Sequence, residues 1–84
     1  MDRFLVISPH TNEECKQAIK DVYAAGYLTH FDWGCMDGDH TGWIVFEAED
    51  ANQALMVVPS SQRRSARAVK LVKFSPDDLR NMLH

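Results

Sequence analysis

Three features of the sequence predict an α+β fold. Short apolar runs rich in β-branched or aromatic residues, bounded by turn residues, read as strands at residues 3–8, 27–33, 42–49 and 68–74. Two segments between them repeat apolar residues at helical spacing. Asp37-Gly38 supplies a hairpin signal between the two middle strands. The element order is therefore strand, helix, strand, strand, helix, strand.

Each element has a local reason. The first strand is Phe4-Leu5-Val6-Ile7 with its flanks, closed by Pro9. Thr11-Asn12-Glu13-Glu14 is a capping box, in which the Thr11 hydroxyl can accept from the Glu14 amide while the Glu14 carboxylate reaches back. Cys15, Ala18, Ile19, Val22 and Tyr23 then form one apolar stripe, and Gly26 is placed to end the helix in a left-handed conformation. The aromatic second strand leads into a turn-rich segment, residues 34–41, and Gly42 opens the third strand. Asp50 with Gln53 caps a second helix, which Pro59 must stop or kink. Residues 60–67 form a connection with room for another helical turn. After the fourth strand, Ser75-Pro76-Asp77-Asp78 opens a short final helix with serine at the cap and proline at its first position.

Two right-handed crossovers joined by a hairpin give a ferredoxin-like domain over residues 1–84: a four-stranded antiparallel sheet, both main helices on one face, and a short C-terminal helix. A chain of this size buries only about 60–65% of the surface its unfolded form exposes, so a partner subunit would help it. The first strand is apolar on both sides, with Leu5 and Ile7 on one and Phe4 and Val6 on the other. The third strand does the same, with Trp43 and Val45 opposite Ile44 and Phe46. Two helices cover one face of the sheet, so the other needs a cover. A second copy, sheet against sheet, is the expected one, and a homodimer follows. Its alternatives are a hydrophobic ligand or the C-terminal helix, with Leu79, Met82 and Leu83, folded across the sheet.

Composition narrows the function classes. The 45% hydrophobic and 25% charged fractions are those of a globular protein. No apolar run approaches the ~20 residues of a membrane helix. Met1-Asp2-Arg3 does not begin a secretory signal, and two cysteines make no disulfide scaffold, so reduced thiols in the cytoplasm are expected. Net charge is −3, but residues 61–84 hold six of the nine basic residues and only two of the twelve acids. Such a segment can attract an anion or an acidic partner. The overall acidity argues against binding nucleic acid.

The segment Trp33-Gly34-Cys35-Met36-Asp37-Gly38-Asp39-His40-Thr41-Gly42-Trp43, followed by Glu47-Ala48-Glu49, resembles the hairpin and third strand of small uncharacterised dimeric α/β-barrel proteins. That superfamily includes YCII-like proteins, muconolactone isomerases and small monooxygenases. The resemblance implies a sheet-face dimer enclosing a small organic molecule between sheet and helices. It carries over no catalytic residue.

Candidate chemistry gathers at one edge. The end of the first strand, the start of the first helix and the hairpin share one end of the sheet, bringing His10, Cys15, Cys35, Asp39 and His40 to the same edge. His10, Cys15, Cys35 and His40 are candidate ligands for a divalent metal, since imidazole and thiolate suit borderline-soft ions. Their spacing matches no standard zinc signature, and no cofactor motif is present. Cys15 also fits as a small core residue, and Asp37 and Asp39 as turn formers. His10, His30 and His40 are the candidate acid–base groups, because imidazole titrates near neutrality. Tyr27, Phe31, Trp33 and Trp43 are candidates to line a pocket. Ser61, Arg63, Arg64 and Arg67 could hold a carboxylate or phosphate at its mouth. These residues are compatible with three readings: a small-molecule-binding or catalytic module, a non-enzymatic interaction or regulatory module, and a metal-binding domain.

Overall fold

The computed structural model describes residues 1–83. Its elements are β1 (Asp2–Pro9), α1 (Cys15–Ala24), β2 (Asp32–Trp33), β3 (Thr41–Ala48), α2 (Ala51–Leu55), α3 (Ser60–Arg63), β4 (Arg67–Leu71) and α4 (Pro76–Met82). The strands form one open antiparallel sheet in the order β2-β3-β1-β4.

β1 and β3 make the centre. They pair along their whole length, from Asp2 opposite Ala48 to Pro9 opposite Thr41. Phe4, Val6, Ile44 and Ala48 face inward and are buried. They form one core with Val22 of α1, Ala54 of α2, and Phe31, Val57 and Val58 from the connecting segments. Val6 and Val58 are the largest side chains with essentially no exposure.

The expected capping pairs all form, two of them on their helices and the Thr11–Glu14 pair one turn ahead of α1, whose own N-cap position, Glu14, has no side-chain cap bond. Thr11 and Glu14 make the reciprocal pair, Thr11 N donating to Glu14 Oε1 at 2.8 Å and Glu14 N to Thr11 Oγ1 at 3.2 Å. This turn lies just ahead of α1, whose helical hydrogen bonding begins at Cys15. Gly26 adopts φ +87° after α1, a conformation side chains resist. Asp50 caps α2, and Ser75 with Asp78 forms a full capping box on α4.

Three expectations and one alternative need correction. The second strand does not run from 27 to 33: Leu28–His30 is a 3₁₀ turn, and only Asp32 and Trp33 pair with β3. The cause is a short aromatic segment pulled inward, where Phe31 enters the core and stacks on Trp33 at 5.4 Å between ring centroids. Gly42 makes room for this pair, since a Cβ there would meet both rings at 3.0–3.3 Å. The second helix ends at Leu55, short of Val58, while the break at Pro59 and the further turn beyond it, α3, fall where expected. The fourth strand stops at Leu71 rather than Phe74. Finally, the C-terminal helix does not fold over the sheet: every residue of α4 is exposed, as are Val72 and Phe74 leading into it.

The outer sheet face is therefore open in the chain. Leu5, Ile7, Trp43, Val45 and Val69 share it by register, and Val45 is 54% exposed. Among the described residues no helix is long and apolar enough to cross a membrane.

Candidate functional site

The edge where β1 ends and β3 begins is built by backbone bonds. The His10 amide donates to the His40 carbonyl at 2.9 Å, extending the β1–β3 ladder by one step and setting the two histidines side by side. Their ring centroids are 6.3 Å apart. Cys15 is the first residue of α1, positioned by the Thr11–Glu14 turn through its amide bond to Asn12 O at 3.3 Å.

Cys35 opens a 3₁₀ turn in the loop between β2 and β3. This loop is closely knit. Gly34 N bonds Thr41 O at 2.9 Å, and the Asp37 and Asp39 amides both donate to Gly34 O at 3.0 Å. Gly38 takes the left-handed conformation that ends the turn, at φ +82°. Gly34 has no room for a side chain: a Cβ would sit 2.5 Å from Asp39 O and 2.8 Å from the Trp43 ring. The Asp39 carboxylate accepts from the Thr41 hydroxyl at 2.7 Å.

These segments bring Cys15 and Cys35 into a disulfide, with a Cα–Cα distance of 6.8 Å. The expectation of two reduced thiols is thereby corrected. Cys15 lies on the helix flank nearest the hairpin and is half-buried, so it meets the loop instead of the core. His10 Nε2 stands 3.2 Å from Cys35 Sγ. One donor atom each from His10, Cys15 and Cys35 lies within 4.8 Å of the others. Three polar nitrogens are buried without a hydrogen-bond partner among the described residues: His10 Nδ1, His40 Nδ1 and Trp33 Nε1. The His10 and Trp33 rings are 6.2 Å apart.

A groove of about 580 Å³ runs beside the disulfide. Cys15, Cys35, Trp33 and His40 line it, Ile19 and the fully exposed Met36 add apolar walls, and Lys16 and Lys20 bring positive charge. Glu14 stands close by. Its carboxyl is held below the usual glutamate range, chiefly by the Thr11 amide, then by the Thr11 hydroxyl, with the charge of His10 adding to it.

The remaining candidates are dispersed. His30 is exposed on its 3₁₀ turn, edge-on to Tyr27 at 6.1 Å, and does not belong to the His10 cluster. The aromatic residues do not line one pocket: Phe31 is core, Trp33 faces inward, and Trp43 lies on the outer face opposite Ile7. Tyr27 borders a separate groove with Phe46 and Met56. The Arg63 guanidinium is taken up by the chain itself, donating to Val58 O at 2.8 and 3.1 Å and to Leu55 O at 3.2 Å. Ser61 donates to Asp21, while Arg64 and Arg67 are exposed. The shared edge was legible in the element order; the pairing of Cys15 with Cys35 was missed, because Cys15 also fitted an apolar stripe.

No family model, no curated protein and no solved structure matches this chain.

Proposed function

We propose that the chain is a thiol–disulfide redox domain in which Cys15 and Cys35 cycle between disulfide and dithiol, with His10 managing the proton at Cys35. The carrying observation is the His10 Nε2 contact of 3.2 Å to a sulfur of a disulfide that borders an open groove. A thiolate from a small thiol in the groove attacks Cys15 Sγ. The Cys15–Cys35 bond breaks, a mixed disulfide forms on Cys15, and Cys35 leaves as a thiolate that takes its proton from His10. A second thiol releases Cys15. In balance, two thiols become one disulfide and the protein disulfide becomes a dithiol. Attack is fastest when the leaving sulfur is a good thiolate, which a neighbouring imidazolium favours. The groove is of the size small organic ligands occupy, and its lysines suit an anionic thiol.

The test is equilibration of the full chain with reduced and oxidised glutathione, followed by alkylation and mass measurement. A reversible transition between zero and two alkylated cysteines supports the proposal. A pair that stays oxidised in the native protein at every ratio, or never forms the disulfide, refutes it.

A second proposal concerns assembly. Element order and the central β1–β3 pair support a ferredoxin-like architecture, and the exposed apolar outer face supports a homodimer of the kind dimeric α/β-barrel proteins form. Sedimentation equilibrium at micromolar concentration should give twice the chain mass, and Val45→Glu should return it to monomer. A monomeric wild type refutes the dimer.

A further inference from the structure

We infer that the reduced Cys15–Cys35 pair, together with His10, forms a binding site for a divalent cation of the zinc class. This rests on the redox proposal, because the ligands are the thiolates that reduction releases.

The geometry is already close to what such an ion needs. Zn–N bonds near 2.0–2.1 Å and Zn–S bonds near 2.3 Å in a tetrahedron place nitrogen and sulfur roughly 3.6 Å apart, and two sulfurs roughly 3.8 Å apart. His10 Nε2 and Cys35 Sγ stand 3.2 Å apart, and all three donor atoms lie within 4.8 Å of one another. Breaking the disulfide frees the two sulfurs to separate by side-chain rotation, with no change in the backbone.

That backbone is fixed at each of the three positions. The His10 amide is bonded to His40 O, the Cys15 amide to Asn12 O, and the Cys35 carbonyl accepts from Gly38 N. The ligands come from a strand end, a helix start and a hairpin loop, so the site exists only in the folded chain. A site built on fixed segments binds without paying again for their order.

Ligand chemistry selects the ion. Two thiolates and one imidazole suit zinc, cobalt or cadmium and not magnesium or calcium, which require oxygen. Among the described residues no carboxylate belongs to the set: Asp39 is engaged by Thr41, and Asp37 is exposed. Two thiolates balance the charge of the ion, and binding to two thiols releases two protons. Three protein ligands leave the fourth tetrahedral position to water or another small ligand, the pattern of catalytic zinc centres and not of closed structural ones. His40 stands beside this cluster on the groove wall. Oxidation to the disulfide removes both sulfur ligands at once, so metal and disulfide exclude each other.

The experiment uses the full chain, treated with a phosphine reductant and freed of it, or oxidised. Free thiols are counted first, and Co²⁺ alone is then titrated in, followed by Zn²⁺. The expected result is two thiols and one Co²⁺ per reduced chain, with a thiolate-to-metal charge-transfer band that Zn²⁺ abolishes by displacement. Oxidised protein should show no band. His10→Asn should weaken binding at least about a hundredfold, more than loss of an outer-shell partner typically does. Two free thiols with no metal bound would overturn the inference while leaving the redox proposal standing. Zero free thiols after reductant would overturn both. Equal affinity in folded His10→Asn would also overturn it, and should that variant unfold, the comparison of reduced and oxidised wild type decides the matter without it.

Discussion

Reduction of the Cys15–Cys35 bond should cost the domain a calculable share of its stability. The bond closes a loop with a sequence separation of 20, tying the start of α1 to the hairpin loop. In the chain-entropy account a loop of that length restricts the unfolded chain enough to stabilise the folded state by about 3 kcal/mol. For a domain of this size that corresponds to roughly 12–24 °C in melting temperature. The assay is thermal unfolding by circular dichroism, with and without reductant, for the wild type and for Cys15→Ser/Cys35→Ser. Oxidised wild type should melt highest. Reduced wild type and the double variant should melt together, and reductant should not change the variant. Metal must be chelated throughout, because a bound ion would restore part of the difference. Equal melting of oxidised and reduced wild type would refute the reasoning, since it would mean that the two segments are not held together by this bond.

Three further outcomes follow from particular contacts. Gly34→Ala should destabilise by about 1–3 kcal/mol in urea unfolding, because its Cβ would meet the Asp39 carbonyl and the Trp43 ring inside van der Waals distance. Arg63→Met should cost about 1–3 kcal/mol by the same measurement, since it keeps most of the side-chain stem but strips hydrogen bonds from the Val58 and Leu55 carbonyls. The Glu14 carboxyl is lowered in the folded state, so its stabilising contribution is complete above the ordinary glutamate pKa of about 4.3 and is lost as pH falls through its folded value. Wild type should therefore lose more stability than Glu14→Gln between pH 5 and about pH 3, as measured by melting temperature at each pH.

How far the sequence foretold the molecule depends on the range of the interactions concerned. Thr11 with Glu14, Asp50 with Gln53, Ser75 with Asp78, and Gly26 all act within a few residues, and each is found as local chemistry predicts. The element order placed β1 and β3 at the centre of the sheet, where they are found, and their two-sided apolar pattern fits that position. The second strand was misjudged because Phe31 and Trp33 carry strand-forming aromatic character, while their packing over Gly42 decides where they go. The candidate site followed the same division. Topology placed His10, Cys15, Cys35 and His40 at one edge, but the Cys15–Cys35 bond depends on the hairpin loop curling back to α1, a tertiary fact with no local signature. Arg63 looked available for a ligand because nothing in the sequence tells that the end of α2 would leave carbonyls for it to satisfy.

The most direct test of the redox proposal is the rate at which a small dithiol reduces the disulfide, compared between wild type and His10→Asn at neutral pH. Trp33, 6.2 Å from His10, provides a fluorescence signal close to the reacting bond. If His10 delivers the proton to departing Cys35, its loss should slow reduction by about a hundredfold, the lower end of what a positioned acid contributes. Equal rates in folded wild type and His10→Asn would contradict the assignment, leaving Cys15–Cys35 a structural cross-link with an incidental histidine beside it.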